Sequence, residues 1–101
     1  MELQIKPFDK GIKIAISGRV DTMTSSEFDK ATANIPAADA PCDVELDCTD
    51  MDYISSAGLR SFITILKRCK GMGCELTVTN LNSSIKSIFD MTGFTQLFKL
   101  S

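Results

Sequence analysis

Asp52-Tyr53-Ile54-Ser55-Ser56-Ala57-Gly58-Leu59-Arg60 sets two adjacent serines between an acidic strand end and the first turn of an amphipathic helix. The helix is predicted from about Ser56 to Lys70, with Leu59, Phe62, Ile63, Leu66 and Cys69 at core spacing. Arg60, Thr64, Lys67, Arg68 and Lys70 fall mostly outward, and Gly71 or Gly73 ends the helix. The first N–H groups of a helix lack intrahelical partners and sit at the positive end of its dipole. A serine hydroxyl there has two readings. It can cap the helix, the commoner role, or it can accept a phosphate that the exposed N–H groups and the dipole stabilise.

Working outward, short stretches alternate apolar with polar residues. Leu3 and Ile5 alternate with Glu2, Gln4 and Lys6, and Ile12, Ile14 and Ile16 alternate with Lys13, Ala15 and Ser17. Asp9-Lys10-Gly11 makes a hairpin turn between them. Cys42, Val44, Leu46 and Cys48 interleave with Asp43, Glu45 and Asp47, Leu76 and Val78 with Glu75, Thr77 and Thr79, and Leu97, Phe98 and Leu100 form a weaker last strand. Strands buried on both faces read as continuous apolar runs, whereas this alternation leaves one face wet. The expected fold is therefore α/β with two layers, a mixed sheet of four to five strands and helices packed on one face. A first helix is predicted from Thr24, where Thr24-Ser25-Ser26-Glu27 fits a capping box, with Phe28, Ala31 and Ile35 inward. Pro36 and Pro41 bracket the loop ahead of the third strand. A third helix starts near Asn82 or Ser83, buries Ile85, Ile88 and Phe89, and stops at Gly93.

A chain of 101 residues suits one domain, residues 1–101, and 44% apolar with 24% charged residues is ordinary for a globular protein. The first residues lack the layout of a signal peptide and no segment is long enough to span a bilayer, so a cytoplasmic location is the expectation. Cys42, Cys48, Cys69 and Cys74 contain no Cys-x-x-Cys unit and read as reduced core residues, not a metal or disulfide framework. The chain has no histidine, which removes the usual base for a serine or cysteine nucleophile and the commonest transition-metal ligand. An enzyme built on Ser55 or Ser56 would need an unusual activating group, so no enzymatic activity is expected. The net charge of −2 argues against a nucleic-acid surface, and no cofactor motif is visible. A monomer folding without ligand is expected.

Four segments together resemble the STAS domain of bacterial anti-sigma factor antagonists. Beside Asp52 to Leu59, Gly18-Arg19-Val20-Asp21 is similar to the family's turn from second strand to first helix, and Gly71-Met72-Gly73-Cys74-Glu75-Leu76 to its glycine-marked entry to the next strand. Ser84 to Phe94 resembles its closing helix, including the terminating Gly93. In that family the site reads Asp-Ser-Ser-Gly or a near variant, and its first serine is phosphorylated by a partner that is both anti-sigma factor and kinase. The resemblance puts that serine at Ser56, with Ser55 where many members carry aspartate, Ala57 where many carry a second serine or threonine, and Gly58 on the family's glycine. Ser55 is a second candidate acceptor.

The resemblance implies a binding module that sequesters an anti-sigma factor with serine kinase activity while Ser56 is free, and a serine phosphatase that restores the free form. Asp21, Arg19, Ser55, Ala57, Gly58 and Arg60 are the expected partner contacts. Asp21 can instead stabilise the start of the first helix, and solvated charges at strand and helix ends are common enough to explain Arg19 and Arg60. Gly58 would permit close backbone approach. Asp50 and Asp52 would make a modified Ser56 part of a concentrated negative patch. The alternative is a non-switching STAS scaffold, a subunit of a sensory assembly or lipid transporter, in which the serine only caps the helix. Met91, Phe94 and Phe98 either close the core, the commoner fate of such a stripe, or form a partner patch.

Overall fold

The computed structural model describes residues 1–9, 11–37, 39–40, 42–93, 96 and 99–100, with Lys99 and Leu100 described by backbone alone. In chain order the elements are β1 (Glu2–Phe8), β2 (Gly11–Val20), α1 (Thr22–Ala31), β3 (Asp43–Ile54), α2 (Ser56–Gly71), β4 (Leu76–Thr79), α3 (Ser83–Thr92) and β5 (Lys99–Leu100). The strands form one mixed sheet in the order β1-β2-β3-β4-β5. β1 runs antiparallel to β2, and β2, β3, β4 and β5 run parallel. Phe8 pairs with Gly11 across the expected hairpin, whose Lys10 lies outside the described residues.

Burial follows the alternation in β2, in β3 as far as Cys48 and in β4, but not in β1, where Leu3 is only half-buried and Ile5 is 45% exposed. Ile14, Ile16, Val44, Leu46, Cys48, Leu76 and Val78 face the core, while Lys13, Ala15, Glu45, Asp47, Thr77 and Thr79 on the opposite face stay partly accessible. β-branched residues suit this half-buried pleat. The helices cover the first face, and each contributes a phenylalanine to one aromatic column. Phe28 of α1 lies 5.5 Å from Phe62 of α2, and Phe62 lies 6.4 Å from Phe89 of α3 in an edge-on pairing. Arg68 of α2 donates to the carbonyls of Thr32 and Ile35 at 2.6 and 2.9 Å, fastening the segment after α1. This arginine was expected outward; its stem lies half-buried instead, with its head satisfied by backbone.

β3 departs from simple alternation. Period two from Val44 would carry Asp50 and Asp52 into the core. Two register shifts against β2 each add one residue to β3, one between the Ala15 and Ser17 pairings and one between those of Gly18 and Arg19. The inward positions become Met51 and Ile54, leaving Asp50, Asp52 and Tyr53 exposed. A bulge commonly re-aims side chains beside a functional site.

Several expectations need correction. α1 begins at Thr22, not Thr24, because Asp21 is the N-cap and Thr24 is the third helical residue answering it. Ala31 is exposed, and Ile35 is buried beyond the end of the helix. In α2, Ser61 and Ile65 are buried beside Leu59, Phe62, Leu66 and Cys69, while Ile63 is partly buried. Met72 caps α2 and Gly73 follows at φ 74°. Met91 is 85% exposed, so it does not close the core; Phe94 and Phe98, like Leu97 and Pro41, lie outside the described residues.

Candidate functional site

Each parallel strand from β2 to β4 hands over to a helix at its carboxyl end, so the first turns of α1, α2 and α3 gather along one edge of the sheet. In open α/β sheets that edge is where ligands bind. Each helix is capped by a short polar side chain: Asp21 for α1, Ser55 for α2 and Asn82 for α3. Asn82 also donates to the carbonyl of Met51 at 3.2 Å, pinning α3 against β3.

The two serines have different surroundings. Ser55 is the N-cap: its hydroxyl accepts from the Gly58 N–H at 3.3 Å, and its own N–H donates to the Val20 carbonyl at 2.8 Å. Ser56 is the first residue of α2, exposed, and its hydroxyl has no hydrogen-bond partner among the described residues. The capping and acceptor readings therefore fall on different residues.

Gly58 is buried. A Cβ there would stand 2.7 Å from Ile54 Cγ1, 2.8 Å from the Val20 carbonyl oxygen and 2.9 Å from Val20 Cγ1. The close approach expected of this glycine is thus to the chain's own β2 and β3, and it seats α2 from beneath. Ala57 is half-buried and Arg60 exposed on the same helix.

Asp21 is committed to α1. Its Oδ1 accepts from the N–H groups of Met23 and Thr24, both at 3.0 Å, while the Thr24 hydroxyl accepts from the Asp21 N–H at 2.8 Å. The Thr24 N–H is the main influence holding the Asp21 carboxyl below its ordinary value; desolvation opposes it. Arg19 pairs across the sheet with Tyr53, its guanidinium carbon 4.6 Å from the ring centroid and its Nε 3.9 Å from Asp21 Oδ2. Neither Tyr53 nor Met23, 81% exposed on the first turn of α1, was expected at the site. The two extra residues of β3 decide which residue faces Arg19, and nothing local in the sequence announces them. Asp50 and Asp52 are both exposed beside Met51. Among the described residues no three His, Cys, Asp or Glu side chains cluster as a metal site, and no helix is long and apolar enough to cross a membrane.

The family model for the STAS domain matches residues 4–101. The chain belongs to the STAS domain family. This STAS chain is 25% identical over 101 residues to the anti-sigma-B factor antagonist of Bacillus subtilis strain 168, an alignment covering all of this chain and 91% of that protein. Its fold is similar to that of a Thermotoga maritima protein solved as a candidate anti-sigma factor antagonist, with TM-score 0.82 at 16% identity, covering 97% of this chain and 84% of the other. It also matches the Bacillus protein SpoIIAA, an anti-sigma factor antagonist solved in two forms. TM-scores are 0.74 for the unphosphorylated and 0.73 for the phosphorylated form, at 10% and 11% identity. Each match covers 99% of this chain, with 87% and 91% of the two SpoIIAA chains. At these identities the solved structures speak for the fold, and the mixed sheet with helices on one face is that of the STAS domain.

Proposed function

We propose that this STAS chain is an anti-sigma factor antagonist whose binding is switched by phosphorylation of Ser56. The observation that carries the reading is the division of labour between the serines. Ser55 is occupied as the cap of α2, whereas Ser56 presents an exposed hydroxyl on the first turn, unpaired among the described residues. Support comes from the relatives named anti-sigma factor antagonists and from SpoIIAA, solved with and without phosphate. In this reading residues 1–101 act as one cytoplasmic STAS domain without catalysis of its own. Free Ser56 lets an anti-sigma factor with serine kinase activity pack on the face formed by Arg19, Asp21, Ser55, Ala57 and Arg60, with Gly58 shaping the turn below. Phosphate adds about −1.5 to −2 charges to a chain whose exposed Asp50 and Asp52 lie upstream in β3. Acidic surface on the partner is then repelled, and a difference of about 3 kcal/mol shifts affinity roughly a hundredfold. A serine phosphatase restores the binding form.

The test is phosphorylation by the cognate anti-sigma kinase with ATP, followed by calorimetric titration of the free and phosphorylated chain with that kinase. Ser56→Ala should abolish labelling and keep binding; Ser55→Ala should still be labelled. Ser56→Asp should reproduce only part of the loss, since a carboxylate carries about one charge and fewer acceptor oxygens than phosphate. Equal affinities for the free and phosphorylated chain would remove the switch, because a modification that does not discriminate between bound and unbound states shifts nothing.

A further inference from the structure

The guanidinium of Arg19 is held in place yet chemically unspent. Its carbon lies 4.6 Å from the Tyr53 ring centroid, within range of a cation–π attraction that favours arginine over lysine. Its charged contact, Nε to Asp21 Oδ2 at 3.9 Å, joins side chains that are 63% and 37% exposed, and such a pair contributes little. The other carboxylate oxygen of Asp21 is engaged in the α1 cap. Among the described residues nothing accepts from the two terminal nitrogens of Arg19. Their N–H bonds form a planar fork left open to solvent, a geometry that fits a carboxylate in two parallel hydrogen bonds.

The surroundings match that use. Tyr53 is 38% exposed and Met23 81% exposed. Tyrosine, methionine and arginine are the types enriched at the centres of protein interfaces. The patch is continuous with the candidate switch: Met23 and Asp21 share the α1 cap, Asp21 faces Arg19, Arg19 lies over Tyr53, and the Ser55 N–H is bonded to Val20 between them.

We infer that Arg19, backed by the Tyr53 ring, receives a carboxylate of the anti-sigma partner in bidentate fashion, while Met23 and the ring edge seat in an apolar hollow beside that carboxylate. The inference rests on the reading that the partner docks over Ser56, and it names the partner's chemistry there: an acidic side chain at the rim of an aliphatic pocket. It also makes the switch specific. A phosphate on Ser56 repels that carboxylate, so one modified residue removes the contact that orients the complex. Tyr53 is a positioning residue in this scheme, acting through the arginine as well as by direct contact.

The experiment titrates the full unphosphorylated chain with the purified anti-sigma kinase that phosphorylates it. Arg19→Lys and Tyr53→Ala should each weaken binding about tenfold or more, because both end the backed, forked geometry. Tyr53→Phe should restore wild-type affinity, since a phenyl face still holds the guanidinium. Met23→Ala should weaken binding several-fold without changing its salt dependence, whereas Arg19→Gln, which removes the charge, should flatten that dependence. Thermal melts confirm that each variant is folded, as expected for exposed positions. Replacing the matching acidic residue of the kinase by its amide should weaken wild-type binding and do little to Arg19→Gln. Affinities of Arg19→Lys and Tyr53→Ala within about twofold of wild type, with phosphorylation still abolishing binding, would overturn the inference and leave the antagonist reading standing. Normal binding of Arg19→Lys combined with recovered binding after phosphorylation would assign the fork to the chain's own phosphate, and overturns it also. Failure of the wild type to bind the kinase would remove the antagonist reading itself.

Discussion

Gly58→Ala isolates the packing that seats the switch helix. An alanine methyl would meet Ile54 Cγ1 at 2.7 Å, the Val20 carbonyl oxygen at 2.8 Å and Val20 Cγ1 at 2.9 Å, all inside ordinary carbon contact distances. One of those atoms is backbone, and it accepts the Ser55 N–H at 2.8 Å, so it cannot retreat without loosening the junction of β2 with α2. Alanine is favoured over glycine inside a helix by about 1 kcal/mol. Against that stand about 1–3 kcal/mol for overpacking and about 1 kcal/mol for a weakened hydrogen bond. The net expectation is a destabilisation of about 2 kcal/mol, or a fall in Tm of roughly 8–16 °C for a domain of this size. Gly71→Ala is the internal control. Gly71 closes α2 with nothing within 4 Å of where a methyl would stand, so the same substitution should raise stability by up to about 1 kcal/mol. Calorimetric melts of the two variants give opposite signs if this is right. A Gly58→Ala protein that melts at or above the wild-type temperature would refute the reasoning.

Further expectations follow from the caps and the titrating groups. Ser55→Ala should cost about 1 kcal/mol of stability through the lost cap, whereas Ser56→Ala should stay within about 0.5 kcal/mol of wild type; urea midpoints check both, and the reverse order would exchange the two roles. Burial pushes the Asp47 carboxyl up, but hydrogen bonds from the Thr49 hydroxyl, the Asn80 amide and the Thr49 N–H, with the charge of Lys13, outweigh it and bring it to about 2. The folded value lies below the ordinary value of about 3.9, so its stabilisation is full above that pH and is lost as pH falls toward 2. Asp47→Asn should therefore be less stable near neutrality and lose less on acidification; parallel stability curves for variant and wild type would count against this. Burial pushes the Cys48 thiol up to about 12 and, with smaller help from Cys74, the Cys69 thiol up to about 11. Alkylation by iodoacetamide at mildly alkaline pH should spare both in the folded chain and reach them in denaturant, read by peptide mass.

Period-two alternation around Ile14, Val44 and Val78 and the helical spacing of Leu59, Phe62, Leu66 and Cys69 were enough to specify two layers with one wet face, because these patterns are local and each element expresses its own period. The same local chemistry marked Gly93 as the end of α3 and Asn82 or Ser83 as its start, and the run Ser55-Ser56-Ala57-Gly58 as the point where strand becomes helix. What lay beyond the sequence was everything set by register between distant segments. Thr24-Ser25-Ser26-Glu27 read as a capping box because its residue types fit one, yet Asp21 won the cap since the bonded end of β2 brings the chain into α1 two residues earlier. Two extra residues in β3 turned Asp50, Asp52 and Tyr53 outward and placed Tyr53 under Arg19, a pairing that exists only once β2 and β3 lie side by side. Gly58 is small for a reason that sits 38 residues away at Val20, and Ser55 and Ser56, alike as letters, part roles because the last bond of β2 fixes which of them enters the helix. Local patterns encode the elements; the partners of each side chain are decided by which elements tertiary packing brings together.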